Sequence, residues 1–170
     1  MRIAVHAFDG VTMFHLSIPQ MVFGTVSRLG LANWRVSLFT TDLEPAPSTG
    51  DSTDSACTDR ADPAQPSDPA TPAASPPSAS IRTSEGYVLS GLGGPDLAGE
   101  ADVVVVPAWF ADGRPAGRRL RSLLKAAHAR GASVVGLCLG AIPLAEAGLI
   151  GGRRAVTHWR AFEPLAREHP

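Results

Sequence analysis

The residues best suited to chemistry stand in one window, Gly136-Leu137-Cys138-Leu139-Gly140. It reads glycine, any residue, nucleophile, any residue, glycine, between the β-branched run Ser133-Val134-Val135 and a short apolar helical pattern. A strand that turns sharply into a helix forces the corner residue into a strained backbone conformation, so flanking positions must lack a bulky Cβ. A cysteine on such a corner gains thiolate character from the N–H groups and macrodipole of the following helix. The same N–H groups can hold an oxyanion. The alternative is a buried cysteine that packs as a small hydrophobe; the glycine spacing and the strand-to-helix context favour the nucleophile elbow.

A proton carrier or orienting group must stand close to such a thiol. His158, in Ala155-Val156-Thr157-His158-Trp159, follows a further short strand pattern and so reaches the same end of a sheet. Asp9 and His15 lie just past the first strand and reach it equally. His6, inside that strand, reads as a satisfied core residue, and His128 and His169 as helix-surface positions. The second cysteine, Cys57, lies in a polar tract, and its spacing from Cys138 fits neither a disulfide framework nor a zinc site. No metal and no cofactor is expected.

The elements that position these residues alternate along the chain. Arg2 to Ala7 predicts a buried strand, Phe14 to Leu29 a helix and Trp34 to Thr40 a second strand. An extended pair, Ile81 to Thr83 and Tyr87 to Leu89, is joined by the turn residues Glu85-Gly86. The unalternating Val103-Val104-Val105-Val106 predicts a parallel strand covered on both faces. Pro115 to Arg130 predicts a helix with Pro115 in its first turn, Leu120, Leu123, Leu124 and Ala127 at helical spacing, and Gly131 as its stop. Ser133 to Leu137 is a strand again, and Gly140 to Ala147 a short helix. This alternation predicts an α/β fold, a three-layer, doubly wound, mostly parallel sheet with its sites at the carboxyl ends of the strands. Three loops then meet there: Phe8-Asp9-Gly10, Ala108-Trp109-Phe110 and the turn after Leu137.

With 170 residues, of which 44% are hydrophobic, the chain has material for a single domain over 1–170. The stretch 43–80 stands apart. The surrounding residues 42–82 contain no aromatic side chain and eight of the fifteen prolines, the composition of a disordered surface insertion. They also hold seven acids against two arginines, so the formal charge of −1 hides a basic remainder of 13 Lys plus Arg against 9 Asp plus Glu. Much of that excess lies on Arg114, Arg118, Arg119, Arg121, Lys125 and Arg130, which read as the solvated face of an amphipathic helix before they read as a phosphate-binding surface. The near-neutral total gives no pull toward nucleic acid, and no apolar run reaches the roughly 18 residues of a membrane span. A cytoplasmic protein is expected.

The run from Val135 to Trp159, with Gly136-Leu137-Cys138-Leu139-Gly140 at its start and Gly151-Gly152-Arg153-Arg154-Ala155-Val156-Thr157-His158-Trp159 at its end, resembles the ThiJ/PfpI superfamily. That superfamily has a class I glutamine-amidotransferase-like, flavodoxin-like fold. The run is most similar to the sensor half of AraC-type regulators of the GlxA/FtrA kind. Phe8-Asp9-Gly10-Val11, Val22-Phe23-Gly24 and Val105-Val106-Pro107 fit the same pattern. Three departures bear on activity. Where hydrolytic relatives such as isonitrile hydratase place an acid in the first helix, this chain has His15; after the nucleophile it has Leu139 in place of Thr or Ser; and a glycine pair is replaced by Ala108-Trp109. The distant His-x-Glu of the glutamine amidotransferases is missing.

The resemblance therefore implies a ligand- or redox-sensing domain with a degenerate cysteine-hydrolase site. Its small molecule would sit in a pocket bounded by Cys138, His158, Trp109, Leu139, Gly140 and the Asp9 to His15 loop. It also implies a homodimer, and DNA contact only through a C-terminal helix-turn-helix region that this chain does not contain. A stand-alone cysteine-dependent hydrolase or hydratase using Cys138 is the alternative.

Overall fold

In the computed structural model, residues 1–42 and 79–170 are described. The 43–78 part of the proline-rich stretch, with Cys57, lies outside them; residues 79 and 80, assigned above to the insertion, belong to a strand.

The chain opens with β1 (Arg2–His6), followed by α1 (Met13–Arg28) and β2 (Arg35–Phe39). After the undescribed stretch come β3 (Ala79–Arg82), β4 (Val88–Leu92), α2 (Asp96–Gly99) and β5 (Val103–Val106). The remainder is α3 (Arg118–Ala129), β6 (Ser133–Gly136), α4 (Ala141–Glu146) and α5 (Phe162–Glu168). Strands β2-β1-β5-β6 form one wholly parallel sheet, and β3 and β4 form a separate antiparallel hairpin. A single bridge between Phe39 and Gly93 joins the hairpin's end to β2.

Period-two alternation distributes the sheet's side chains between two apolar clusters. Ala4, Val104 and Val106 pack with Leu120, Leu124 and Ala127 of α3 and Leu144 of α4. Ile3, Val5, Val103 and Val105 pack with Leu16 of α1 and with Ile81 and Leu92 of the hairpin. The result is three layers, with all four valines of β5 buried because both faces of a central parallel strand are covered.

Two local readings need correction. Helix α3 starts at Arg118 with Gly117 as its N-cap, so Pro115 lies ahead of its first turn. Residues 155–157 are not a strand: among the described residues no strand pairs with them, and Val156 is 83% exposed, so neither ladder nor burial holds an extended form in place.

His6 is a core residue but only half satisfied. Its Nε2 lies 3.2 Å from the Thr41 hydroxyl, while Nδ1 has no hydrogen-bond partner among the described residues. Burial disfavours the imidazolium and pushes the pKa down from 6.5 to about 3. Below pH 6.5 the unfolded chain takes up this proton and the folded chain does not, so stability falls as pH drops toward 3. A loss on the order of 2 kcal/mol between pH 7 and pH 5 is expected from urea denaturation midpoints. His6→Gln should lose most of that slope; an unchanged slope would place its origin elsewhere.

Candidate functional site

The elbow is built from backbone constraints. Leu137 is extended, and its N–H donates to the Val106 carbonyl at 2.9 Å, continuing the β5–β6 ladder. Cys138 then takes φ +54°, the one described non-glycine residue in the left-handed region, and begins a 3-10 turn through Gly140 that leads into α4. The glycines are sterically required. A Cβ on Gly136 would stand 2.7 Å from the Gly140 carbonyl oxygen, and one on Gly140 would collide with the Val106 carbonyl oxygen. The turn thus folds back over its own glycines and onto the central strand. From the far side, the Thr157 hydroxyl donates to the Cys138 carbonyl at 3.0 Å, tying the segment before His158 to the corner.

This geometry corrects one expectation. Cys138 stands three residues before a helix of only six residues, so the aligned peptide dipoles behind it are few and their field at the sulfur is weak.

Cys138 is partly exposed and lines a cleft of about 490 Å³ together with Leu139, His15 and His158. The start of α1 positions His15. The Thr12 hydroxyl oxygen accepts the His15 backbone N–H at 3.2 Å and lies 2.6 Å from His15 Nδ1. Both Glu85 carboxylate oxygens, in the β3–β4 turn, accept the Met13 N–H at 3.1 Å. His158 caps the 3-10 turn Trp159–Ala161, its Nδ1 accepting the Arg160 N–H at 3.3 Å. In the neutral ring the proton then sits on Nε2, which makes that nitrogen a donor. The His15 pKa is lowered, first by burial and then by the charge of His158, with Glu85 opposing. His15 is thereby held toward its neutral form, in a cleft that it lines together with His158.

The other residues singled out from the sequence lie elsewhere. Gly140 is buried beneath the turn. Asp9 accepts the Arg82 N–H at 2.7 Å, fixing its loop to the hairpin. Trp109 donates its indole N–H to the Arg114 carbonyl at 2.9 Å and packs at a tilt against Phe8 and edge-on against Phe110. Neither Asp9 nor Trp109 lines the cysteine cleft; both line a separate pocket. His169, read as a surface position, is half-buried and lines the cleft. Sequence reasoning also missed Ile142 and Glu146, which share one face of α4 at a four-residue spacing, the signal that would have found them. Glu146 is engaged structurally, accepting the Ala116 N–H at 2.7 Å. Among the described residues no group of three metal-ligating side chains occurs, and no helix is long and apolar enough to cross a membrane.

The glycine contacts order a set of substitutions, each read by urea denaturation. Gly140→Ala should cost about 3 kcal/mol or more through its clash with β5. Gly24→Ala, on an α1 face with nothing within 4 Å, should gain about 0.5–1 kcal/mol. Cys138→Gly should gain up to about 1 kcal/mol by relieving the positive φ. A mild Gly140→Ala effect would contradict the packing described for the elbow.

No family model matches the chain. It is 30% identical over 169 residues to an uncharacterized protein in the cpoL 5′ region of Streptomyces lividans, covering 99% of this chain and 95% of that one. It is 32% identical over 99 residues to the HTH-type transcriptional regulator CdhR of Pseudomonas aeruginosa, covering 49% of this chain and 30% of CdhR. Among solved structures, an AraC family transcriptional regulator from Pseudomonas putida superposes with a TM-score of 0.68 at 16% identity, over 99% of this chain and 72% of that one. A ThiJ/PfpI family protein from Pseudomonas syringae gives 0.63 at 18% identity, over 97% and 53%. The chain belongs to the family of the Streptomyces lividans protein, and its fold is the one shared by the ThiJ/PfpI superfamily and these AraC-family regulators.

Proposed function

We propose that the protein is a sensing domain of the kind found in AraC-family regulators, taking a small molecule into the Cys138–His15–His158 cleft without sustained turnover. The observation that carries this reading is His15 at the cleft wall. It is an imidazole at the position where the hydrolytic relatives that the sequence resembles carry an acid, so the acid–thiol pairing of those relatives is not assembled in this cleft. His158 supports it, since its proton is directed to Nε2 and the ring faces a ligand as a donor. Leu139 adds apolar wall beside the sulfur and supplies no hydroxyl to hold a water. Ligand binding is the work such a half-apolar cleft performs best. DNA would be contacted by a helix-turn-helix region outside this chain, and reversible oxidation of Cys138 is a further mode of sensing the same site allows.

A stand-alone cysteine-dependent hydrolase is the second reading. It is favoured by one observation: this chain covers 95% of the Streptomyces lividans relative, which leaves that protein little length for a further region.

p-Nitrophenyl acetate separates the two. Attack by the Cys138 thiolate forms a thioester and releases p-nitrophenolate; turnover then needs water to cleave the thioester. Sensing predicts no more than about one equivalent of nitrophenolate attributable to Cys138 by comparison with Cys138→Ser. Sustained release that disappears in Cys138→Ser would establish the hydrolase instead.

A homodimer through the outer face of α1 belongs to the same proposal. Phe14, Met21 and Val22 are 67%, 63% and 57% exposed there, while Leu16 and Phe23 turn inward; such an apolar face suits a self-complementary contact. Sedimentation equilibrium should give a dimer for the native chain and a monomer for the double variant Phe14→Glu, Met21→Glu. An unchanged mass in the variant, or a monomeric native chain, would reject the interface.

A further inference from the structure

The segment that leads out of α4 builds a concavity that the cysteine cleft does not use. The N–H of Gly148, which stands at φ +71°, donates to the Ala145 carbonyl at 2.8 Å, and the Leu149 N–H donates to the Leu144 carbonyl at 3.0 Å. This way of ending a helix turns the chain back on itself, and Leu149 and Ile150 pack against the core cluster to which Leu144 belongs. A tight turn follows, closed by the Arg153 N–H on the Ile150 carbonyl at 3.0 Å, with Gly152 at φ +67°. It brings Arg153 and Arg154 to the same hollow that Leu149 and Ile150 line.

The hollow is a cleft of about 490 Å³ whose apolar floor is Val134, Leu144, Leu149 and Ile150. Ser133 opens it at the amino end of β6, whereas Cys138 follows that strand's carboxyl end, and the two clefts share no lining residue. Val134, Leu149 and Ile150 are only half-buried, so apolar surface is left for a ligand to cover. Arg153 and Arg154 are exposed, and neither side chain has a hydrogen bond or an ion pair among the described residues. No acidic residue lines the cleft. Charges of one sign set over apolar, low-dielectric walls focus their field and concentrate the opposite ion. The charge selects an anion, and the floor selects one that carries hydrocarbon.

We propose that this cleft binds a small amphipathic anion, a carboxylate head on a compact hydrocarbon body of the medium-chain fatty-acid class. The planar guanidinium of Arg153 or Arg154 donates to both carboxylate oxygens in parallel, and the hydrocarbon covers Leu149, Ile150 and Val134. A small hydrophilic anion forgoes the floor, and a neutral amphiphile forgoes the arginines, so each half of the site rejects what the other would accept. The site stands apart from Cys138 and does not rest on the sensing role of that cleft.

The test is titration of the whole chain with octanoate, octanol and acetate, followed in ¹H–¹⁵N spectra. Octanoate should shift the Val134, Leu149, Ile150 and Arg153 amides saturably while leaving the Cys138 and Leu139 amides in place. Octanol, which lacks the charge, and acetate, which lacks the chain, should each bind at least about tenfold more weakly. The double variant Arg153→Gln, Arg154→Gln should weaken octanoate by about tenfold or more and leave octanol unchanged. Equal affinities for octanoate and octanol or for octanoate and acetate, octanoate affinity unchanged in the variant, shifts confined to Cys138 and Leu139, or no saturable binding of octanoate at millimolar concentration would each overturn the proposal. None of these outcomes depends on turnover of the nitrophenyl ester, so the two sites stand or fall separately.

Discussion

The left-handed backbone of Cys138 is the constraint from which the rest of the site follows. An L-residue at φ +54° is strained by roughly 1–2 kcal/mol relative to the right-handed region, and the surrounding structure must hold it there. Gly136 lets the Gly140 carbonyl approach, Gly140 lets the turn rest on the Val106 carbonyl, and the Leu137 N–H closes the last rung of the β5–β6 ladder. The buried valines of β5 make that floor rigid. A corner made this way directs the sulfur to the carboxyl end of the sheet, where His15 and His158 also face the cleft.

Electrostatics then set the character of the cleft. His15 is partly desolvated and feels His158, and both effects favour its neutral ring. The carboxylate closest in sequence to the elbow, Glu146, is spent on the Ala116 N–H in a contact that anchors the approach to α3. Glu85, which caps α1, acts on the helix that carries His15 more than on the cleft itself. The site therefore sets a thiol, two imidazoles and apolar walls around one cleft.

The layered fold was legible because its signals were local and strong. Four consecutive valines announce a doubly covered strand, the α3 leucines fall at helical spacing, and the glycine-bracketed cysteine announces the corner. What the sequence concealed depended on contacts between distant segments. Trp109 stands in a loop at the same sheet end as Cys138, but its indole is drawn to Arg114 and to the Phe8–Phe110 pair, leaving the cysteine cleft to others. Asp9 looked equally available until the Arg82 N–H claimed it. The 155–157 segment has β-branched residues but no strand to pair with, and β-propensity without a partner does not make a strand. His169 reaches the cleft only because α5 returns over it.

The most direct measurement is the rate of Cys138 alkylation by iodoacetamide in the native protein, resolved from Cys57 by peptide mass spectrometry and compared with the urea-unfolded chain. A sulfur held at the mouth of an open cleft should react in native buffer within about tenfold of the unfolded rate, with no acceleration at sub-denaturing urea. Protection of Cys138 until global unfolding would contradict the account, because it would mean that the corner buries the thiol it was built to present.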